Sequence, residues 1–128
     1  MLQKGLTDKT MYRIDCDGLK TAARIMYRFM TNTSLVRPEC TMWNGNGAPC
    51  TIVNNGDPFM TEKDMFRKII KAASSTISCV ASTDLADTRR VVLTYAPGLD
   101  FMVLNFPQAN GRLTVVERKI IEDIGSAQ

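Results

Sequence analysis

Residues 91–106, VVLTYAPGLDFMVLNF, place two runs of β-branched and aromatic side chains on either side of Ala96-Pro97-Gly98-Leu99-Asp100. Such runs fit a pleated, half-buried surface, and a Pro-Gly pair between them is turn chemistry, so the stretch reads as a β-hairpin. The two strands are expected over 89–95 and 101–106. Working outward, 76–81 is a third candidate strand, and Met11-Tyr12-Arg13-Ile14-Asp15 alternates apolar with polar side chains as a fourth. Between residues 38 and 58 the chain is rich in Gly, Pro and Asn. There a single short strand, 50–53, is expected between turn signals at Asn44-Gly45 and Asn55-Gly56.

Three segments have helical periodicity instead. After Gly18, the residues Leu19, Ala22, Ala23, Met26, Phe29 and Met30 recur at three- and four-residue steps, which puts them on one helix face. Asp17 is the expected N-cap, and the helix must end before Pro38. Thr61-Glu62-Lys63-Asp64 resembles a capping box with Asp in the usual Glu position; Phe66, Ile69, Ile70 and Ala73 follow as its apolar face, and Ser74-Ser75 closes it. Thr114-Val115-Val116-Glu117 is a second capping box, ahead of a narrow stripe of Val116, Ile120, Ile121 and Ile124, with Gly125 as the C-cap.

The order β-α-β-α-β-β-β-α mixes crossovers with hairpins, which predicts an α+β fold with two or three helices on one face of a mainly antiparallel sheet. The 128 residues suit one compact domain spanning 1–128, and a hydrophobic fraction of 45% supplies a continuous core. No secretory h-region opens the chain and no apolar run can cross a bilayer, so a soluble protein with no membrane partner is expected, cytoplasmic or virion-associated. Cys16, Cys40, Cys50 and Cys79 stand at wide, irregular spacings with no C-x-x-C pattern, and reduced thiols in a reducing compartment are expected.

The chain has no histidine. Ser-His-Asp and Cys-His nucleophiles, His-ligated zinc and imidazole acid-base catalysis are therefore excluded, leaving only carboxylate, lysine, tyrosine or thiol chemistry. No cofactor is implied. Asn44-Gly45-Asn46-Gly47-Ala48-Pro49-Cys50 has a Gly-x-Gly, but a strand follows it instead of a helix, and the P-loop ending and the third glycine of the dinucleotide motif are absent, so it reads as a turn. Asp15-x-Asp17 offers two hard oxygen ligands without an identifiable third, and no metal site is assigned. Trp43, the sole tryptophan, caps the open edge of the core, anchors a partner protein or stacks on a base.

Charge patterning is the strongest functional signal. Lys20, Arg24 and Arg28 recur every four residues on the first helix, with no acidic residue between Lys20 and Arg28, and Lys63, Arg67 and Lys71 repeat the arrangement on the second beside Lys68. Arg89-Arg90 at a strand start extends the set. A net charge of +3 is mild, so the argument rests on where these cations lie. The sequence predicts a non-enzymatic accessory or assembly subunit that binds RNA, DNA or another polyanion through basic helix faces, as a homodimer. The alternatives are a scaffolding subunit with protein partners only, aided by its eight methionines, and a small carboxylate- or metal-dependent enzyme.

Overall fold

The computed structural model describes residues 2–4 (backbone only), 10–43, 47–54, 60–72 and 74–126. The elements in chain order are β1 (Leu2–Lys4), β2 (Met11–Asp15), α1 (Leu19–Met30), β3 (Val36–Trp43), β4 (Pro49–Asn54), α2 (Glu62–Lys71), β5 (Ile77–Ser82), β6 (Arg90–Tyr95), β7 (Phe101–Asn105) and α3 (Val115–Gly125). The strands form one seven-stranded sheet in the order β1-β2-β7-β6-β5-β3-β4, with every neighbouring pair antiparallel. The chain is thus α+β, as expected, with two strands, β1 and β3, added to the expected succession.

The β6–β7 hairpin is formed as its chemistry dictates. The amide of Leu99 donates to the carbonyl of Ala96 at 3.3 Å, Pro97 and Gly98 occupy the centre of the turn, and Gly98 takes φ 89°. That positive φ is open to glycine without a side-chain clash. Tyr95 then pairs with Met102 and Leu93 with Leu104. Because successive side chains alternate across a strand, Val91, Leu93, Tyr95, Met102 and Leu104 all point to one side, where they join Ile14, Ile77, Cys79 and the buried side chains of the helices in a continuous core. On the other side Arg13, Phe101, Val103, Val92, Thr94 and Ser78 are only half-buried and Val80 is exposed, so this sheet face carries no covering layer among the described residues.

Helix α1 buries Ala22, Ala23, Ile25, Met26, Phe29 and Met30 against that core. Full burial of a side chain such as Phe29 contributes about 1.5–3 kcal/mol. Its N-cap is Gly18 at φ 143°, with no side-chain cap; the expected Asp17 cap is a correction, since its carboxylate accepts instead from the Thr21 hydroxyl at 2.9 Å. Helices α2 and α3 have both halves of their capping boxes: Thr61 with Asp64, and Thr114 with Glu117. Their faces are narrower than expected. Met65 and Ile69 are the buried pair of α2, Phe66 is half-buried and Ile70 is 47% exposed; in α3, Val116 is 42% exposed and Ser126, not Gly125, is the C-cap. Ala73, Asn44-Gly45 and Asn55-Gly56 lie outside the described residues.

Strand β3 explains why a turn-rich reading failed there. It pairs with β4 on one side and β5 on the other, yet contains Pro38, which has no amide to donate. The ladder to β5 runs from Val36–Ser82 directly to Glu39–Val80, so Arg37 and Pro38 sit in a bulge, and Arg37 adopts φ 51° to make it. Beyond the bulge Cys40 stands opposite Cys79, and the two are joined in a disulfide that is wholly buried. The expectation of four reduced thiols is therefore corrected: only Cys16, buried, and Cys50, exposed, are free. No described helix is long and apolar enough to cross a membrane.

Candidate functional site

The N-terminal ends of the two cationic stripes meet because α1 and α2 pack against each other. Lys20 and Ala23 from α1 and Glu62, Lys63 and Phe66 from α2 line one cleft of about 410 Å3. Arg24 reaches across the same seam, its Nε 3.3 Å from Glu62 Oε1. Arg67 pairs with Asp64 at 3.7 Å within the first turns of α2. Arg24, Glu62 and Arg67 are all substantially exposed, and Asp64 is little less so, so both ion pairs stand in water and hold their partners weakly. Lys20, Arg28, Lys63, Lys68 and Lys71 make no ion pair with any described residue.

The capping box of α2 tunes the rim of this surface. Thr61, through its side chain first and its amide second, holds the Asp64 carboxyl below the ordinary aspartate range, with the charges of Arg67 and Lys68 adding to the effect. Asp64 is thus committed to the helix end and stays ionised there. On the far side of α2, a second hollow of about 260 Å3 is lined by Met42, Ile52 and Ala72 with Lys68 and Lys71. It shares with the first an apolar floor and two lysines, and has no carboxylate in place of Glu62.

The remaining expected cations lie elsewhere. Arg89 faces α3, where its guanidinium holds Glu117 at 2.6 and 3.3 Å and donates to the carbonyls of Gln108 and Arg112 at 3.1 and 3.4 Å. Glu117 is 1% exposed and also caps its own helix, so Arg89 is a structural partner with four of its N–H donors engaged. The pairing raises the arginine above its already high value. Arg90 points to the opposite sheet face and rests 4.0 Å from Asp87. There it lines a hollow of about 310 Å3 with Arg37, Glu39, Ser82 and Asp87, in which the two cations are balanced by two carboxylates. Neither arginine joins the α1–α2 surface. Arg37, which sequence reading passed over, reaches this hollow through the bulge.

Trp43 ends β3 with 53% of its surface exposed. Asp15 accepts from Arg13 at 3.1 Å, and Asp17 accepts from the Thr21 hydroxyl at 2.9 Å. Among the described residues no three His, Cys, Asp or Glu side chains cluster as metal ligands. Gly47 takes φ 80° just before β4, as a turn requires, while 44–46 lie outside the described residues. Cys16 is pushed above the ordinary thiol range, first by burial and then by the charges of Asp17 and Asp100, against a smaller lowering by a backbone hydrogen bond at Gly18. That is the reverse of what an activated nucleophile needs. On the exposed sheet face, Arg13 stacks 4.2 Å from the Phe101 ring and pairs with Asp15 and Asp100, an ordered cap over the β2–β7 seam. The chain matches no known family model, no curated protein and no solved structure.

Proposed function

We propose that the protein is a non-enzymatic accessory or assembly subunit that binds RNA, DNA or another polyanion through the surface shared by α1 and α2. The observation that carries the reading is the meeting of Lys20 and Lys63, from separate helices, at one cleft. Phosphates draw such a surface to them by charge and counterion release, and they displace the exposed carboxylates beside Arg24 and Arg67 at a cost of about 0–1 kcal/mol per pair. The lack of histidine and the raised, buried Cys16 thiol favour binding over catalysis. The Cys40–Cys79 disulfide favours an oxidising setting, virion surfaces included, over the cytoplasm.

Fluorescence anisotropy with a labelled oligonucleotide at low salt tests this. Replacing Lys20, Arg24, Arg28, Lys63, Arg67 and Lys71 with alanine is expected to abolish binding, and affinity unchanged in that variant removes the site. A second reading, contact with another copy or a protein partner, is favoured by the uncovered sheet face, where Val80, Val92, Val103 and Phe101 lie among Thr94 and Ser78. Light scattering is expected to give a dimer that Val92→Glu dissociates; a monomer at high concentration counts against it.

A further inference from the structure

Charge alone does not require the hollow that lies between the lysines. A protein that reads only a phosphate backbone needs exposed cations, and a duplex presents its bases stacked and out of reach of a helix-helix cleft. Here the floor between Lys20 and Lys63 is apolar, made by Ala23 and the half-buried ring of Phe66. A half-buried ring is held in place by its packed side and offers its open side to a flat partner, and every base has such a face. Glu62 lines the same cleft with one oxygen on Arg24. A carboxylate there repels a phosphate from the interior and accepts a base N–H, so phosphates belong at the lysine rim and a base belongs inside.

We propose that the α1–α2 cleft takes one unstacked base of a single-stranded nucleic acid, with Phe66 as its stacking platform and Lys20 and Lys63 on the flanking phosphates. The inference rests on the polyanion reading above and narrows it from polyanions in general to single strands. The second hollow fits the same ligand. Lys63 and Lys68 are five residues apart, about 140° around the helix axis, so the two hollows flank α2, and a strand joining them crosses its crest of Lys63, Arg67 and Lys71. An extended single strand can follow such a path, whereas a stiff duplex cannot bend over one helix and place bases on both sides of it.

The test compares three labelled ligands of equal length: a single-stranded oligothymidylate, the same strand made abasic throughout, and a duplex. The wild-type chain is expected to bind the oligothymidylate about tenfold more tightly than the abasic strand, the contribution of one stacked base. Phe66→Leu, which keeps an apolar side chain against the core, is expected to erase that difference, and Phe66→Tyr is expected to retain it. Circular dichroism of each variant separates a lost platform from a lost fold. Equal binding of all three ligands, untouched by Phe66→Leu, overturns the single-strand inference and leaves the polyanion reading standing. Equal binding of polyglutamate likewise overturns the single-strand inference alone, whereas binding of none of these ligands at low salt overturns both.

Discussion

Glu117 is the residue on which the greatest local cost is concentrated. It is a carboxylate with 1% of its surface exposed, and its compensation comes from Arg89 on one side and the Thr114 amide, 2.8 Å away, on the other. Removing one member of a buried pair leaves an uncompensated charge, whereas removing both does not. Arg89→Met is therefore expected to lower the unfolding free energy by about 3–5 kcal/mol. Glu117→Gln should cost less, because glutamine still serves the capping box and Arg89 keeps two carbonyl acceptors. The double variant should recover part of the Arg89→Met loss. Urea unfolding of the three variants checks the order; an Arg89→Met chain as stable as wild type would mean that the pair is not a structural lock. Arg89 read in sequence as one more surface cation, because nothing in a linear pattern announces a partner 28 residues away.

At the scale of elements, what could be read in advance was whatever depends on neighbours in sequence. The 91–106 hairpin, the three amphipathic helices and both capping boxes follow from local periodicity and turn chemistry, and each is present. Strand β3 was missed because its one disqualifying residue, Pro38, is accommodated by a bulge that only the register with β5 reveals. The same register decides the cysteines. Cys40 and Cys79 are 39 residues apart in sequence and directly opposite in the sheet, so no spacing rule connects them. The link ties β3 to β5, and through β3 it secures the edge strand β4. A cross-link closing a loop of that length contributes about 2–4 kcal/mol. Chain unfolded, reduced and refolded in dithiothreitol is expected to unfold about 1–2 M earlier in urea than the oxidised form. Identical midpoints would mean that the sheet does not depend on the bond.

For the molecule as a whole, the fold divides its charges between two surfaces. The three helices cover one side of the sheet and bring Lys20, Arg24 and Lys63 to a shared seam, while Arg90 and Arg37 stand on the other side among carboxylates. Sequence periodicity made each stripe visible. Their meeting depends on helix packing, which periodicity does not encode, and so does the separation of Arg90 from them. A salt titration can read that division directly. If the α1–α2 surface holds phosphates, each cation that touches one contributes about 0.7 to the slope of log affinity against log salt on a single strand. Lys20→Ala and Lys63→Ala are each expected to reduce the slope by about that amount, and Arg90→Ala, although it removes the same formal charge, is expected to leave it unchanged. The comparison matters because a net charge of +3 attracts any polyanion weakly, and diffuse attraction responds to the loss of any cation alike. Equal reductions for all three variants would assign binding to net charge, whereas a reduction confined to Lys20 and Lys63 assigns it to the seam.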